Sequence, residues 1–83
     1  MTESIREIVK VHGRLPVDIA AVQDDANLYE VGMTSHASVN LMLALEDHFD
    51  VEFPDEMLTR SAFQSISSIR SSLASLGVPT DSE

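Results

Sequence analysis

A serine and a histidine stand side by side in the sequence, as Ser35 and His36. A hydroxyl next to an imidazole is a pair that nucleophilic catalysis uses. Neighbouring residues of an α-helix do not face each other, so the two side chains cannot readily form a hydrogen bond if a helix begins here. No acid is obviously placed to orient the imidazole as a catalytic triad requires. A hydrolase is therefore the least favoured of the functions considered.

Metal binding has equally little support. The chain has no cysteine, which excludes a thiolate nucleophile, a disulfide and any cysteine-ligated metal. The histidines, His12, His36 and His48, include no pair four residues apart, which is the helical spacing of many zinc ligands. The acidic run 47–56 lacks the alternating Asp or Asn positions and the central glycine of a calcium-binding EF-hand loop. We predict no metal site.

The charge of the chain is strongly acidic, with 14 acidic and 5 basic residues and a formal net charge of −9. No lysine or arginine lies between Arg14 and Arg60, whereas ten acids do. Such a surface repels phosphate backbones and anionic lipids, so we predict no nucleic-acid or membrane binding. It would attract a basic protein partner, although acidity can also serve solubility alone.

The length of 83 residues, of which 43% are hydrophobic and 23% charged, is that of one globular domain. No apolar run reaches the roughly 18 residues that a membrane span needs. Residues 1–10 lack the unbroken apolar segment of a signal peptide. We therefore expect a cytoplasmic protein. The Met1 start and the polar end, 80–83, favour a free-standing protein over a fragment of a longer chain. We expect a monomer.

The spacing of apolar residues and of helix-capping residues predicts helices and no strands. Three main helices and one short helix make an all-α four-helix bundle. The main helices are expected from Thr2 to Gly13, from Thr34 or Ser35 to about Asp50, and from Ser65 to Gly77. The short helix is expected to begin at Pro54 or Asp55 and to reach Arg60.

The connection 14–32 shows no sustained period. We predict a loop with room for one short turn, pinned to the core by Leu28 and Val31, because long loops in small domains are usually functional or attached to the core. The whole chain is expected to form one domain, with a core at about 3–77 and a polar C-terminal tail at 78–83.

The second main helix shows an apolar pattern at intervals of three, three and four residues, which predicts a single buried face. The residues of this pattern are Val39, Met42, Leu45 and Phe49. Leu41 and Leu43 are expected to widen the face on either side.

Three stretches follow one another in the middle of the chain. Residues 27–35 are Asn-Leu-Tyr-Glu-Val-Gly-Met-Thr-Ser, residues 39–49 are Val-Asn-Leu-Met-Leu-Ala-Leu-Glu-Asp-His-Phe, and residues 51–56 are Val-Glu-Phe-Pro-Asp-Glu. In this order they resemble the Asp-Leu-x-x-x-Gly-x-Asp-Ser signature, the second helix and the acidic Ile-Pro-Asp-Glu stretch of acyl carrier proteins. The resemblance to this phosphopantetheine-binding family is dense over about residues 27–58.

The resemblance implies a carrier and not a catalyst. The serine of the family receives a 4′-phosphopantetheine arm from coenzyme A, and Ser35 occupies that position. The thiol of the arm then holds an acyl or aminoacyl group as a thioester, which suits a chain that has no cysteine of its own. The implied partners are a phosphopantetheinyl transferase, an acyl- or aminoacyl-loading ligase and downstream acyl-transfer enzymes.

Three residues near Ser35 depart from the family pattern. An aspartate is usual where Thr34 stands, a leucine where His36 stands and an acid where Asn40 stands. These positions flank the arm, so they indicate a specialised carrier. The variant is similar to stand-alone aminoacyl carrier proteins, which are loaded by relatives of seryl-tRNA synthetase. Partner docking is predicted at Met33, Thr34, His36, Val39, Asn40, Leu43, Glu46 and Asp47.

Helical periodicity places part of this docking set near one stripe. Val39, Leu43 and Glu46 follow Ser35 by four, eight and eleven residues. Val39 is expected at the edge of the buried face, and Glu46 and Asp47 are expected in water. The competing interpretation is a cofactor-free acidic helical module that binds other proteins and uses Ser35 as a simple helix cap.

Overall fold

The computed structural model describes residues 2–78, which form helices joined by turns, with no strand in that range. The α-helices of this range are α1 (Thr2–His12), α2 (Leu28–Val31), α3 (Ser35–Phe49) and α4 (Ile66–Ser75). 3₁₀ turns lie at Ile19–Ala21, Asp55–Met57 and Ser61–Phe63. The predicted all-α fold, with three long α-helices and one short one, is confirmed.

Capping residues set the boundaries of the long helices. Thr34 Oγ1 accepts a hydrogen bond from Ala37 N at 3.0 Å, and Ser65 Oγ accepts one from Ser68 N at 3.0 Å. Each side chain thus satisfies a backbone donor that the first helical turn leaves free. Asp50 ends α3 with a left-handed φ of 54°, which a short polar side chain tolerates. Ser65 is confirmed as a cap, and Thr34, not its neighbour, caps α3.

The apolar core lies where α1 packs against both α3 and α4. The side chains of each long helix that enter it are mostly three or four residues apart, as expected of one buried face per helix. The predicted pin Leu28 is fully buried in this core, and Val31 is partly buried against it. The buried apolar residues are Ile5, Ile8, Val9, Val22, Leu28, Met33, Ala37, Leu41, Leu45, Phe53, Phe63, Ile66, Ile69 and Leu73.

The predicted buried face of α3 is wrong in part. The buried side chains recur every four residues, at Ala37, Leu41 and Leu45. Val39 and Leu43 are 52% and 53% exposed, and Met42 and Phe49 are only partly buried. Apolar residues surround much of this helix, so their spacing fits more than one face. The packing of α1 against α3 selects the face that is buried.

The predicted short helix over 54–60 does not form. Two 3₁₀ turns take its place, and Leu58 between them leaves the helical region with φ −85° and ψ 61°. Phe53 and Phe63 flank the segment and are buried, with their rings in edge contact at 5.3 Å. A helix this short is marginal in water, so burial of the two rings decides the backbone path. The short α-helix of the fold is α2, inside the predicted loop.

The C-terminal end of α4 stays attached to the core. Gly77 follows the helix with a φ of 91°. Val78 N then donates to Leu73 O at 3.1 Å, and the Val78 side chain is partly buried. Residues 79–83 of the predicted tail lie outside the described residues. Over residues 2–78, no helix has the length and apolar character to cross a membrane.

Candidate functional site

Ser35 is positioned by the close turn that connects α2 to α3. Asn27 Oδ1 accepts the N–H of Tyr29 at 3.0 Å and so caps the start of α2. Gly32 ends α2 with a φ of 132°. A Cβ on Gly32 would lie 2.7 Å from Pro16 Cδ, so both the conformation and the space at this turn require glycine. The turn leaves Ser35 exposed as the first residue of α3.

Met33 anchors the same turn from the inside. Its side chain is 3% exposed, and its backbone N–H donates to Leu28 O at 2.9 Å. The prediction that Met33 belongs to the docking surface is therefore wrong, because its side chain lies in the core. Burial of Met33 directs its neighbours Thr34 and Ser35 outwards, and both are exposed.

An open groove of about 260 Å³ borders Ser35. Its walls come from α2, α3 and the segment 58–63. Most of the wall is apolar, and hydroxyl groups and one guanidinium lie along it. The other lining residues are Tyr29, Ser38, Val39, Met42, Leu58, Thr59, Arg60 and Phe63.

Two contacts hold polar side chains in place around this groove. The Arg60 guanidinium carbon lies 3.9 Å from the centroid of the Tyr29 ring, a cation–π contact that joins the segment 58–63 to α2. Ser38 Oγ donates to Ser35 O at 2.7 Å. The Ser38 hydroxyl is thus engaged with the backbone of α3.

The remaining residues of the predicted docking set lie on α3 and at its start. Thr34, His36, Val39, Leu43 and Asp47 are exposed, and Asn40 is half-buried. A shallow depression beside α3 is lined in part by Asn40, Leu43 and Asp47 together with residues of α1 and the residue Arg14. Most of the set is therefore accessible to a partner. The exposure of Val39 differs from its expected place at the edge of the buried face.

Glu46 differs from the expectation that it lies in water. It is half-buried, and its Oε2 accepts the backbone N–H of Phe53 at 2.8 Å. This carboxylate therefore has a structural partner. Asp47, the next residue, is exposed as expected.

The arrangement around Ser35 does not resemble a hydrolytic centre. His36 does not line the groove that Ser35 borders, and the part of the chain that the structure describes shows no hydrogen bond between the two side chains. In that same part, no group of three or more His, Asp or Glu side chains is arranged to hold a metal ion.

Tyr29 and Arg60 line the groove beside Ser35 but were not predicted from the sequence. The contact between them brings together two segments that are far apart in the sequence, so no local spacing indicates it. One signal was present, because Arg60 is the first basic residue after Arg14 in an otherwise acidic stretch.

Comparison with known proteins gives one family match and two similar curated proteins. The family model for the phosphopantetheine attachment site matches residues 3–76. An aminoacyl carrier protein of Agrobacterium fabrum is 48% identical over 69 residues, which are 83% of this chain and 83% of that protein. An aminoacyl carrier protein of Bradyrhizobium diazoefficiens is 42% identical over 50 residues, 60% of this chain and 56% of that protein.

Solved structures agree with the sequence comparisons. The fold matches a chain in the crystal structure of an engineered Bradyrhizobium japonicum glycine:[carrier protein] ligase complexed with a carrier protein from Agrobacterium tumefaciens and AMP. The TM-score is 0.88 at 44% identity, over 89% of this chain and 99% of that chain. A second match, with TM-score 0.74 and 31% identity over 86% of this chain and 95% of that chain, is in the B. japonicum ligase complexed with glycylated carrier protein. The chain belongs to the phosphopantetheine-attachment family and is a carrier protein of the acyl carrier protein fold.

Proposed function

We propose that Ser35 carries the 4′-phosphopantetheine arm and that the cargo of this carrier is an amino acid. Ser35 is exposed at the start of α3 and borders the groove described above. The observation that carries the choice of cargo is the 48% identity to an aminoacyl carrier protein over most of both chains. The protein thus acts as a carrier of an activated group and not as a catalyst.

The residues at the start of α3 fit the attachment of the arm. Transfer from coenzyme A forms a bond between Ser35 Oγ and phosphorus, and the bond from that phosphorus to 3′,5′-ADP breaks. The hydroxyl proton goes to a base of the transferase. When bound, the group supplies the thiol that forms a thioester, which this chain cannot supply because it has no cysteine. The groove that borders Ser35 offers apolar walls and one guanidinium, that of Arg60.

The proposed partners follow from the known complexes. A similar carrier chain is in complex with an engineered B. japonicum glycine:[carrier protein] ligase, and a second similar chain is in the complex of the B. japonicum ligase with glycylated carrier protein. A ligase of this kind, related to seryl-tRNA synthetase, loads this chain.

A phosphopantetheinyl transferase acts before the ligase, and an acyl-transfer enzyme takes the amino acid afterwards. The carrier works as a cytoplasmic monomer with a single domain, 1–83.

Intact-mass measurement after incubation with coenzyme A and a broad-specificity phosphopantetheinyl transferase tests the attachment. We expect the mass to rise by one phosphopantetheinyl group in the wild type and in Ser38→Ala, and to stay unchanged in Ser35→Ala. Ser38→Ala is the matched control because Ser38 lines the same groove one helical turn away. Unmodified wild type under several transferases would favour the cofactor-free interaction module instead. Modification that depends on Ser38 would contradict the assignment of Ser35.

The cargo is tested on the modified protein. Incubation with ATP, an amino acid and a purified glycine:[carrier protein] ligase is expected to add one aminoacyl group that neutral hydroxylamine releases, as a thioester requires. Unmodified protein is the control and should remain unloaded. Loading by a fatty-acyl ligase, with no loading by the amino-acid ligase, would contradict an aminoacyl cargo and leave the carrier assignment in place.

A further inference from the structure

We propose that Arg60 holds the phosphodiester of the arm at the rim of the groove, and that Tyr29 is the platform that fixes the guanidinium there. This inference rests on the proposed attachment to Ser35. Arg60 is a positioning residue for the arm and takes no part in the transfer chemistry.

The geometry of Arg60 suits the recognition of a phosphate oxygen. Its guanidinium lies over the face of the Tyr29 ring at 3.9 Å. A guanidinium has five N–H donors, and one ring face cannot occupy all of them, so a guanidinium over a ring keeps donors for acceptors. Within residues 2–78, these donors form no ion pair or side-chain hydrogen bond. The donors are therefore still available for an acceptor.

The position of Arg60 brings this cation to the groove that borders the proposed attachment point. Ser35 and Arg60 line the same groove, and the phosphorus of the arm is bonded directly to the serine oxygen. In the proposed arrangement the phosphate therefore lies beside the groove that the Arg60 side chain also lines. Tyr29 is itself held by the cap on α2, because its N–H donates to Asn27 Oδ1 at 3.0 Å. The residue whose ring contacts the guanidinium is thus fixed by the backbone of α2.

The charge distribution around Ser35 favours a role for Arg60 in binding an anion. The chain has a net charge of −9, so a phosphodiester anion on its surface is repelled by most of the molecule. The stretch 31–45 contains no acid, which keeps the half of α3 next to Ser35 neutral. The N-terminus of α3 adds a partial positive charge. Arg60 supplies the full positive charge that this local environment otherwise lacks.

The alternative is that Arg60 only ties the segment 58–63 to α2 through the Tyr29 ring. A purely structural contact would be the same before and after modification. The decisive experiment therefore compares the unmodified and the modified protein, and it observes the guanidinium and the phosphorus directly and not through loading activity.

The test is NMR spectroscopy of ¹⁵N-labelled protein before and after attachment of one phosphopantetheinyl group, verified by intact mass. We expect the Nε–H resonance of Arg60, assigned from its absence in Arg60→Lys, to shift more than those of Arg6 and Arg14. The ³¹P resonance of the modified protein should move in Arg60→Gln and, by a smaller amount, in Tyr29→Leu. It should stay unchanged in Arg14→Gln, a matched control that removes the same charge from a residue that does not line the groove.

The possible outcomes separate this inference from the function on which it depends. Absence of the mass increase in the wild type would contradict attachment itself. A normal mass increase with an unshifted Arg60 Nε–H, or with the same ³¹P resonance in wild type and Arg60→Gln, would overturn the role of Arg60 alone. If Arg60→Gln does not fold, the comparison of unmodified and modified wild type still decides, and Arg60→Lys is needed only to assign the Nε–H resonance.

Discussion

The Glu46 carboxylate on α3 accepts the backbone N–H of Phe53 at 2.8 Å. This contact joins the last part of the long helix to the segment that leads into the 3₁₀ turns. Phe53 is buried and Glu46 is half-buried, so water reaches the bond only in part. A hydrogen bond to an ionised acceptor is stronger than one between neutral groups. Glu46 therefore stabilises the fold, apart from any contribution that its charge makes to docking.

Replacement of Glu46 by alanine should destabilise the protein. The change leaves the N–H of a buried residue without its acceptor, which costs about 1–3 kcal/mol of unfolding free energy. Urea unfolding followed by circular dichroism measures the loss. The matched control is Asp47→Ala, an exposed neighbour for which we expect a change within about 0.5 kcal/mol. Equal unfolding free energies for the two variants would contradict the structural role of Glu46.

The two leucines Leu43 and Leu45 provide a matched test of the buried face of α3. Leu45 is fully buried and Leu43 is 53% exposed. Leu45→Ala should lower the unfolding free energy by about 2–5 kcal/mol, a large part of the roughly 5–15 kcal/mol that holds a small domain folded. Leu43→Ala should change it by less than about 1 kcal/mol, because little buried area is lost. Thermal melting of both variants checks this, and a reversed order would show that the face is wrongly assigned.

Alanine should destabilise the protein more at Gly32, in the close turn before Ser35, than at Gly77. Gly32 and Gly77 both have a positive φ, so alanine strains the backbone by about 1–3 kcal/mol at either position. An added Cβ would also clash with Pro16 at Gly32, whereas it meets nothing within 4 Å at Gly77. We therefore expect Gly32→Ala to lower the melting temperature more than Gly77→Ala, and to slow modification of Ser35. Equal melting temperatures would mean that the turn relaxes without cost.

Reversal of the charge at Asp47 tests docking through α3. Asp47→Lys should slow loading by the ligase of the order of tenfold at low salt if a basic surface of the ligase meets this part of the helix. Added salt should lower the loading rate of the wild type towards that of Asp47→Lys, because salt shortens the screening length to about 10 Å at 0.1 M. The control is Glu7→Lys, an equal change on an exposed position of α1. Identical rates and identical salt dependence for both variants would leave the acidity of α3 as a solubility feature.

The start of the site could be predicted from the sequence because it depends on contacts within a few residues. A hydroxyl at Thr34 or at Ser65 reaches a backbone donor three residues further on, so residue type and position are enough to place a helix start. Gly32 indicates the turn for a similar reason. Glycine adopts a positive φ, as Gly32 does here, without the steric cost that a side chain would add. Ser35 stands three residues after Gly32, as the first residue of the helix that Thr34 caps, so its place at a helix start was predictable.

Contacts between distant segments were decided only by the tertiary structure. Apolar residues lie on several sides of α3, so the spacing alone does not show that Leu43 is exposed. Met33 lies in the segment that leads to the exposed Ser35, and only the packing of the helices determines that its side chain is buried. The same holds for the path of 54–63, which follows the burial of Phe53 and Phe63 and not the local preference for a helix. The contact of Arg60 with Tyr29 depends on this path. Such contacts join residues that no local periodicity relates, because their distance is set by how the helices and turns pack around one core.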